Sequence, residues 1–461
     1  MLHDFLTGEK ARFLPGAHTE LRAQLSRSRR VVSVKGNLVG NTRVDSSGVS
    51  ARVYQNGVYG FSSQGELTAE AARNVLTAAS DNAKFMDRHV AKGKGPLSPL
   101  GRETLDYAWQ IPDAEQKAYL DYVQAVDAWV AKKYPDLTSR MVVVSEDSME
   151  KRIVTSDGAD AHILIPRSYL YVFLTGEAND GSPMELFVPI GGLGTFTENF
   201  KDPTEHEAEV DALYQKLRDK MEGVYADAGE KTVILGGMMT GMLAHEAVGH
   251  TCEADLVLSG SVASRCLGQR VGSDLVNMTD FASIAFGEKA PLPVYCDDEG
   301  TPAVDAPLIQ DGILVGYMHS RESADHYGVA PTGNGRGFAY SDEPLIRMRN
   351  TAVHPGKDKL EDMIASIDDG YLLLDSRNGE ADTTGEFMFG VSMGYQIKNG
   401  KLGKALRDTT VSGVAFEMLK TVDMVSDEVV WSSSGFCGKK QMMPVGMGGP
   451  ALRCRITIGG R

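Results

Sequence analysis

Apolar positions along this chain repeat with two different periods, and the changes of period mark out its elements. Over 31–65, "VVSVKGNLVG" and "GVSARVYQNGVYGFSS" alternate in the manner of half-buried strands. Asn56-Gly57 lies between two such runs and predicts a two-residue hairpin turn. A helix is expected over 67–90. Residues 91–112 are rich in Gly, Pro and Lys and read as a linker. A second helix is expected over 114–133. Asp113 is its N-cap, Gln116 its capping-box partner, and Tyr119, Val123, Val126 and Val130 its core face. Four strand-like runs follow, "RMVVVSE", "KRIVTSDG", "AHILIPRSYLYVFLTG" and "MELFVPIGG", and predict an antiparallel meander. Residues 203–223 read as a helix with a proline at its start. "EKTVILGG" reads as a strand that passes through the turn "GGMMTG" into another helix. From about 290 onward the chain is strand and loop, dense in glycine, with one helix near 357–368.

These elements predict an α+β fold. An N-terminal α/β region with an antiparallel sheet and helices precedes a strand-rich C-terminal domain, which carries a helix of special interest. The expected divisions are 1–95, 113–223 and 230–461. The length allows two to three domains.

The helix of interest contains "LAHEAVGHTCEAD", 243–255. Two histidines four apart on one helix face, with a glutamate after the first, make a metal site with its own base. Here His245 and His250 are five apart. At about 100° per residue an ideal helix would set them roughly 140° apart. One π-type turn absorbs the extra residue, and Gly249 eases such a distortion. The alternative is two ordinary helix histidines satisfied by hydrogen bonds. Two imidazoles need at least one more protein ligand and an open position. Glu253 is placed either to ligate or to hydrogen-bond a ligand histidine. Cys252 points to another side of the helix. A distal ligand could come from Cys437, which small residues bracket at 435 and 438 and which Lys439 and Lys440 follow. The alternative there is a loop cysteine without a role. Cys454 reads as an inward strand residue.

Composition narrows the function classes. With 47 basic and 62 acidic side chains the net charge is −15. No long basic run appears, so nucleic acid and anionic membranes are not expected partners. No run of apolar residues is long enough to span a bilayer, and the first residues lack a secretory apolar core. Five unclustered cysteines suit a reducing cytoplasm. Two further stretches carry chemistry. "APTGNGRGFAY", 330–340, offers Asn334 and Arg336, with Thr332, for binding a substrate backbone or carboxylate. "CDDEGTP", 296–302, reads as a turn between strands rather than a cation site. His319 and His326 have no assigned role.

Taken together, "HEAVGH" with its downstream "EAD", "DDEGTPA", "LIQDGILVGY", "TGNGR", "RMRNT", "TGEFMF" and "CGK…PVGMGGPAL…ITIGG" resemble the TldD/PmbA peptidases, on the TldD-like side. The blocks run in order from about 230 to 460. The resemblance implies a zinc-dependent peptidase holding one Zn2+ per chain. His245, His250 and Cys437 would be the metal ligands, and Glu246 the general base acting on a zinc-bound water. It also implies short or unstructured peptide substrates and a dimer, either of this chain or with a TldE/PmbA-like subunit. The competing reading is a non-catalytic assembly or binding subunit with a structural zinc. Two departures stand out. "CGKKQ" is one residue shorter than the family's usual C-G-K-x-G-Q, and "HTCEAD" replaces the usual H-x-L-E-G-D.

Overall fold

A computed structural model describes residues 4–90, 92–100, 103–110 and 114–459. Its architecture is α+β. The N-terminal half is built on one seven-stranded sheet, whose strands are β1 (His18–Val34), β2 (Asn37–Gln55), β3 (Val58–Gln64), β4 (Thr104–Ala108), β5 (Ser139–Thr155), β6 (Asp160–Glu177) and β7 (Pro183–Leu193). The order is β3-β2-β1-β5-β6-β4, with β7 also on β6. The Asn56-Gly57 turn is present. Gln55 pairs with Val58, and both turn residues have positive φ, 51° and 93°, as a type I′ turn requires.

The helix Ala69–Val90 packs Val75, Leu76 and Ala79 with Leu21, Val49 and Val53 of the sheet. The helix Gln116–Lys133 buries Tyr119, Val123, Val126 and Val130, the stripe its spacing predicts. Its expected N-cap, Asp113, lies outside the described residues, and the residue preceding the helix is Glu115. β5, β6 and β7 form the expected antiparallel meander. "RMVVVSE" and "KRIVTSDG" prove to be parts of one long strand, because β5 stays paired with both β1 and β6. Within the expected linker, Thr104–Ala108 is a strand. It runs parallel to the start of β6 and stacks Tyr107 on Tyr295 at 3.9 Å.

The C-terminal half begins with β8 (Gly229–Leu235), whose Val233, Ile234 and Leu235 are buried. β8 pairs with Asp369–Ala381 on one side and Leu452–Ile458 on the other. Asp369–Ala381 also pairs with Glu386–Lys398, which pairs with Thr409–Val414, which returns to Leu452–Ile458. The circuit therefore closes into a small barrel. A second sheet contains Met278–Phe281, Asn350–Val353, Met443–Gly449 and, at its edge, Val430–Cys437. The helix expected near 357–368 spans Leu360–Ala365. Two further short helices, Arg321–Tyr327 and Ala415–Lys420, break the strand-and-loop character expected there. They are too short for a helical period to stand out in the sequence.

The halves are held together by the acids of "CDDEGTP". Asp297 makes the turn by accepting the backbone N–H groups of Glu299 and Thr301. Asp298 pairs with Lys151 at 2.8 Å and Arg22 at 3.1 Å, and Glu299 pairs with Arg52. All three acids are buried. Asp298 and Glu299 are neutralised by cations of the N-terminal sheet, whereas Asp297 is satisfied by backbone N–H groups and burial pushes its carboxyl well above the usual range. No helix among the described residues is long and apolar enough to cross a membrane.

Candidate metal centre

β8 delivers the chain through Gly236 into a helix of changing pitch. Gly237–Met242 is α-helical, Leu243–Gly249 is π-helical, and His250–Cys252 is a 3-10 turn. The π segment does what the five-residue spacing demands. It brings the rings of His245 and His250 to 5.2 Å between centroids, at 79° to one another. Gly249 has an ordinary helical φ of −56°. Its contribution is space: a Cβ there would lie 2.1 Å from Met348 Sδ. The glycine permits close packing rather than an unusual backbone.

Cys437 ends the edge strand Val430–Cys437 and is buried. Its Sγ lies 3.2 Å from His250 Nε2. One donor atom from each of His245, His250 and Cys437 falls within a group no wider than 4.8 Å. His245 is 1% exposed, and neither of its ring nitrogens has a hydrogen-bond partner. A buried imidazole without partners is costly, and a cation at the centre of this group would satisfy it. Two nitrogens and a sulfur are the donor set that zinc favours. Burial opposes ionisation of the Cys437 thiol, but His245 and His250 beside it more than offset this and bring its pKa down to about 3. Burial likewise opposes charge on His250, but hydrogen bonds to Cys437 and Glu253 lift its pKa to about 10.

Glu246 is half-buried and lines the cleft in front of this group. Its Oε2 is 3.7 Å from His250 Nε2, too far for a hydrogen bond. Glu253 is fully buried and accepts from His250 Nδ1 at 2.8 Å. That bond places the His250 proton on Nδ1 and frees Nε2 to ligate. The Lys439 ammonium sits 3.2 Å from Glu253 and 2.6 Å from Asp255. It balances these acids instead of standing beside the thiolate, and this explains the use of the "EAD" block. Glu253→Gln is expected to weaken zinc binding by about 10–100-fold. Competition against a chromogenic chelator measures this, and an unchanged affinity would remove Glu253 as the group that orients His250.

Arg347 was not singled out by sequence reasoning. It is fully buried and donates to the carbonyls of Cys437 (2.8 Å), Lys439 (3.2 Å) and Gln441 (2.7 Å). One guanidinium thus pins the whole shortened "CGKKQ" loop, which turns at Lys440 with a left-handed φ of 54°. Charged residues at alternate positions of "RMRNT", in an otherwise strand-like context, were the available signal.

Asn334 and Arg336 are placed away from the cleft. Asn334 is fully buried and donates to Asp280 and to the Arg347 carbonyl. Arg336 donates to the carbonyls of Met348 and Pro444. Both side chains are engaged in holding the loop. Thr332 bonds Asn334. His319 bonds Ser323, and burial lowers its pKa to about 4.

The cleft facing the metal group has a volume of about 800 Å³. One wall is the metal-site helix with the strand Val430–Cys437, and the other is β6 and β7. The hydroxyls of Tyr169 and Tyr171 donate to the carbonyls of Ser433 and Ser434 across it.

Residues 228–460 match the family of the PmbA/TldA metallopeptidase C-terminal domain, and residues 19–83 match PmbA/TldA metallopeptidase domain 1. The chain belongs to the TldD/PmbA family of metallopeptidases. A metalloprotease of Methanocaldococcus jannaschii is 31% identical, over 96% of this chain and 97% of that protein. A zinc metalloprotease TldD homolog of Saccharolobus solfataricus is 28% identical over 90% of each. TldE from Thermococcus kodakarensis shares the fold, with a TM-score of 0.74 at 17% identity over 98% of this chain and 100% of that one.

Proposed function

We propose that this TldD/PmbA metallopeptidase is a zinc-dependent hydrolase of short or unstructured peptides. The observation that carries the reading is the group formed by His245, His250 and Cys437, with its unpartnered, buried His245 ring. His245, His250 and the Cys437 thiolate would hold one zinc ion. Zinc, when bound, makes water acidic and polarises a carbonyl. Glu246 accepts the water's proton and returns it to the departing amine. Its exposure to the cleft and its freedom from hydrogen bonds to His250 fit that task.

Three features support catalysis over a structural zinc. The donor group among the described residues comprises three side chains. Glu253 is turned to His250 Nδ1 and Lys439. The cleft opens on the group. The strand Val430–Cys437 is the last of its sheet and leads to the metal ligand. An extended peptide can pair along such an edge outside Ser433 and Ser434, whose carbonyls already accept from Tyr169 and Tyr171. From the family resemblance, the chain is proposed to assemble as a dimer, with a TldE/PmbA-like subunit or with a second copy. All five cysteines are unpaired, which suits the cytoplasm.

Metal removal tests the reading. Dialysis against a strong chelator should abolish cleavage of an unstructured peptide, and zinc restored to one equivalent should return it. Full activity in the zinc-free protein would overturn the proposal.

A further inference from the structure

The cleft is unevenly furnished. Both of its long cations are engaged. Lys216 pairs with Asp375 at 3.3 Å, and Arg377 donates to the carbonyl of Glu185 at 2.6 Å. The large rings are different. Phe187 of β7 stacks on Phe173 of β6, with centroids 5.0 Å apart and planes at 18°. Even so, Phe187 remains 42% exposed. On the other wall, Phe436 is the residue before the Cys437 ligand and is 45% exposed. It is held in place by the Arg167 guanidinium, 5.2 Å from its ring centre, and by Phe338 edge-on at 6.2 Å. Two oriented, exposed aromatic rings thus stand on the two walls of one cleft that also exposes Glu246. Exposed aromatic surface inside a concave site marks the place where a ligand's apolar groups are covered.

We infer that the cleft selects peptides bearing bulky aliphatic or aromatic side chains, with Phe187 and Phe436 as specificity-determining residues. This deepens the peptidase reading and rests on it. The preferred substrates are segments that a folded protein keeps in its core, which become available only in an unfolded or precursor chain. Binding energy comes from removing the substrate side chain and both rings from water.

The test uses two fluorescein-labelled peptides of equal length and net charge, one carrying Leu and Phe at alternate positions and the other Ser and Asn. The full chain is used zinc-loaded, with any subunit that copurifies. kcat/KM is expected to favour the apolar peptide by about tenfold or more, the scale on which apolar pockets discriminate. Phe187→Ser should shrink this ratio, chiefly through KM, and Phe187→Leu should restore part of it. Equal kcat/KM for the two peptides, or a ratio unmoved by Phe187→Ser, would overturn the inference. If the zinc-loaded protein cleaves neither peptide, the peptidase reading fails, and fluorescence anisotropy of the same peptides on Glu246→Gln decides the selectivity. Tighter binding of the apolar peptide upholds it, and equal affinities end it.

Discussion

Glu246→Gln should retain zinc and lose peptide turnover by about 10²–10⁴-fold, the usual contribution of a positioned proton acceptor. Glutamine keeps the size and shape of the side chain, so the π-helical segment and both imidazoles should stay where they are. It cannot take up a proton. The two readouts must separate: metal content by mass spectrometry should remain near one equivalent, while cleavage of an unstructured peptide collapses. Because Glu246 Oε2 stands 3.7 Å from His250 Nε2, the carboxylate is not needed to orient the histidine. Near-normal turnover in this variant would mean that another group carries the proton.

Cys437→Ser should cost zinc affinity on the order of a hundredfold or more, because four ligands together supply about 10–16 kcal/mol in structural sites. A hydroxyl is a poor replacement for a thiolate, and its proton is far harder to remove at neutral pH. The loop itself should survive the change, because Arg347 grips the backbone carbonyls of residues 437, 439 and 441 and not the sulfur. The variant should therefore still fold in chelator, and zinc should raise its melting transition by much less than it raises that of the wild type. Zinc retained at full stoichiometry after dialysis would exclude the sulfur from the ligand set.

The two variants also probe different links in one chain of causes. The spacing of His245 and His250 demands a π turn, and the turn places both rings on one side of the helix. The edge strand brings Cys437 to them. On the proposed reading, only when these three conditions hold does Glu246 face a substrate with chemistry to perform. The specificity inferred for Phe187 and Phe436 acts one step earlier, on which chains enter.

Much of this was legible in the residues themselves. Local geometry is written in short-range sequence: Asn56-Gly57 dictates a turn with two positive φ values, the stripe Tyr119, Val123, Val126 and Val130 dictates a buried helix face, and a five-residue histidine spacing calls for an irregular helix if both rings are to meet one ion. Each depends on neighbours a few positions away. The proposed metal ligands were legible for the same reason at His245 and His250, and through the resemblance of whole blocks at Cys437. Long-range choices were not. Nothing local says that β1 pairs with β5 across the segment 91–112, that Thr104–Ala108 joins the sheet, or that Arg347 holds the loop of Cys437. Nor could sequence alone separate the two roles open to Glu253, or show that Asn334 and Arg336 are buried structural groups. Those outcomes depend on which surfaces meet once the chain is compact. Burial decides whether a polar side chain faces substrate or satisfies a carbonyl, and burial is a property of the assembled fold, not of any segment within it.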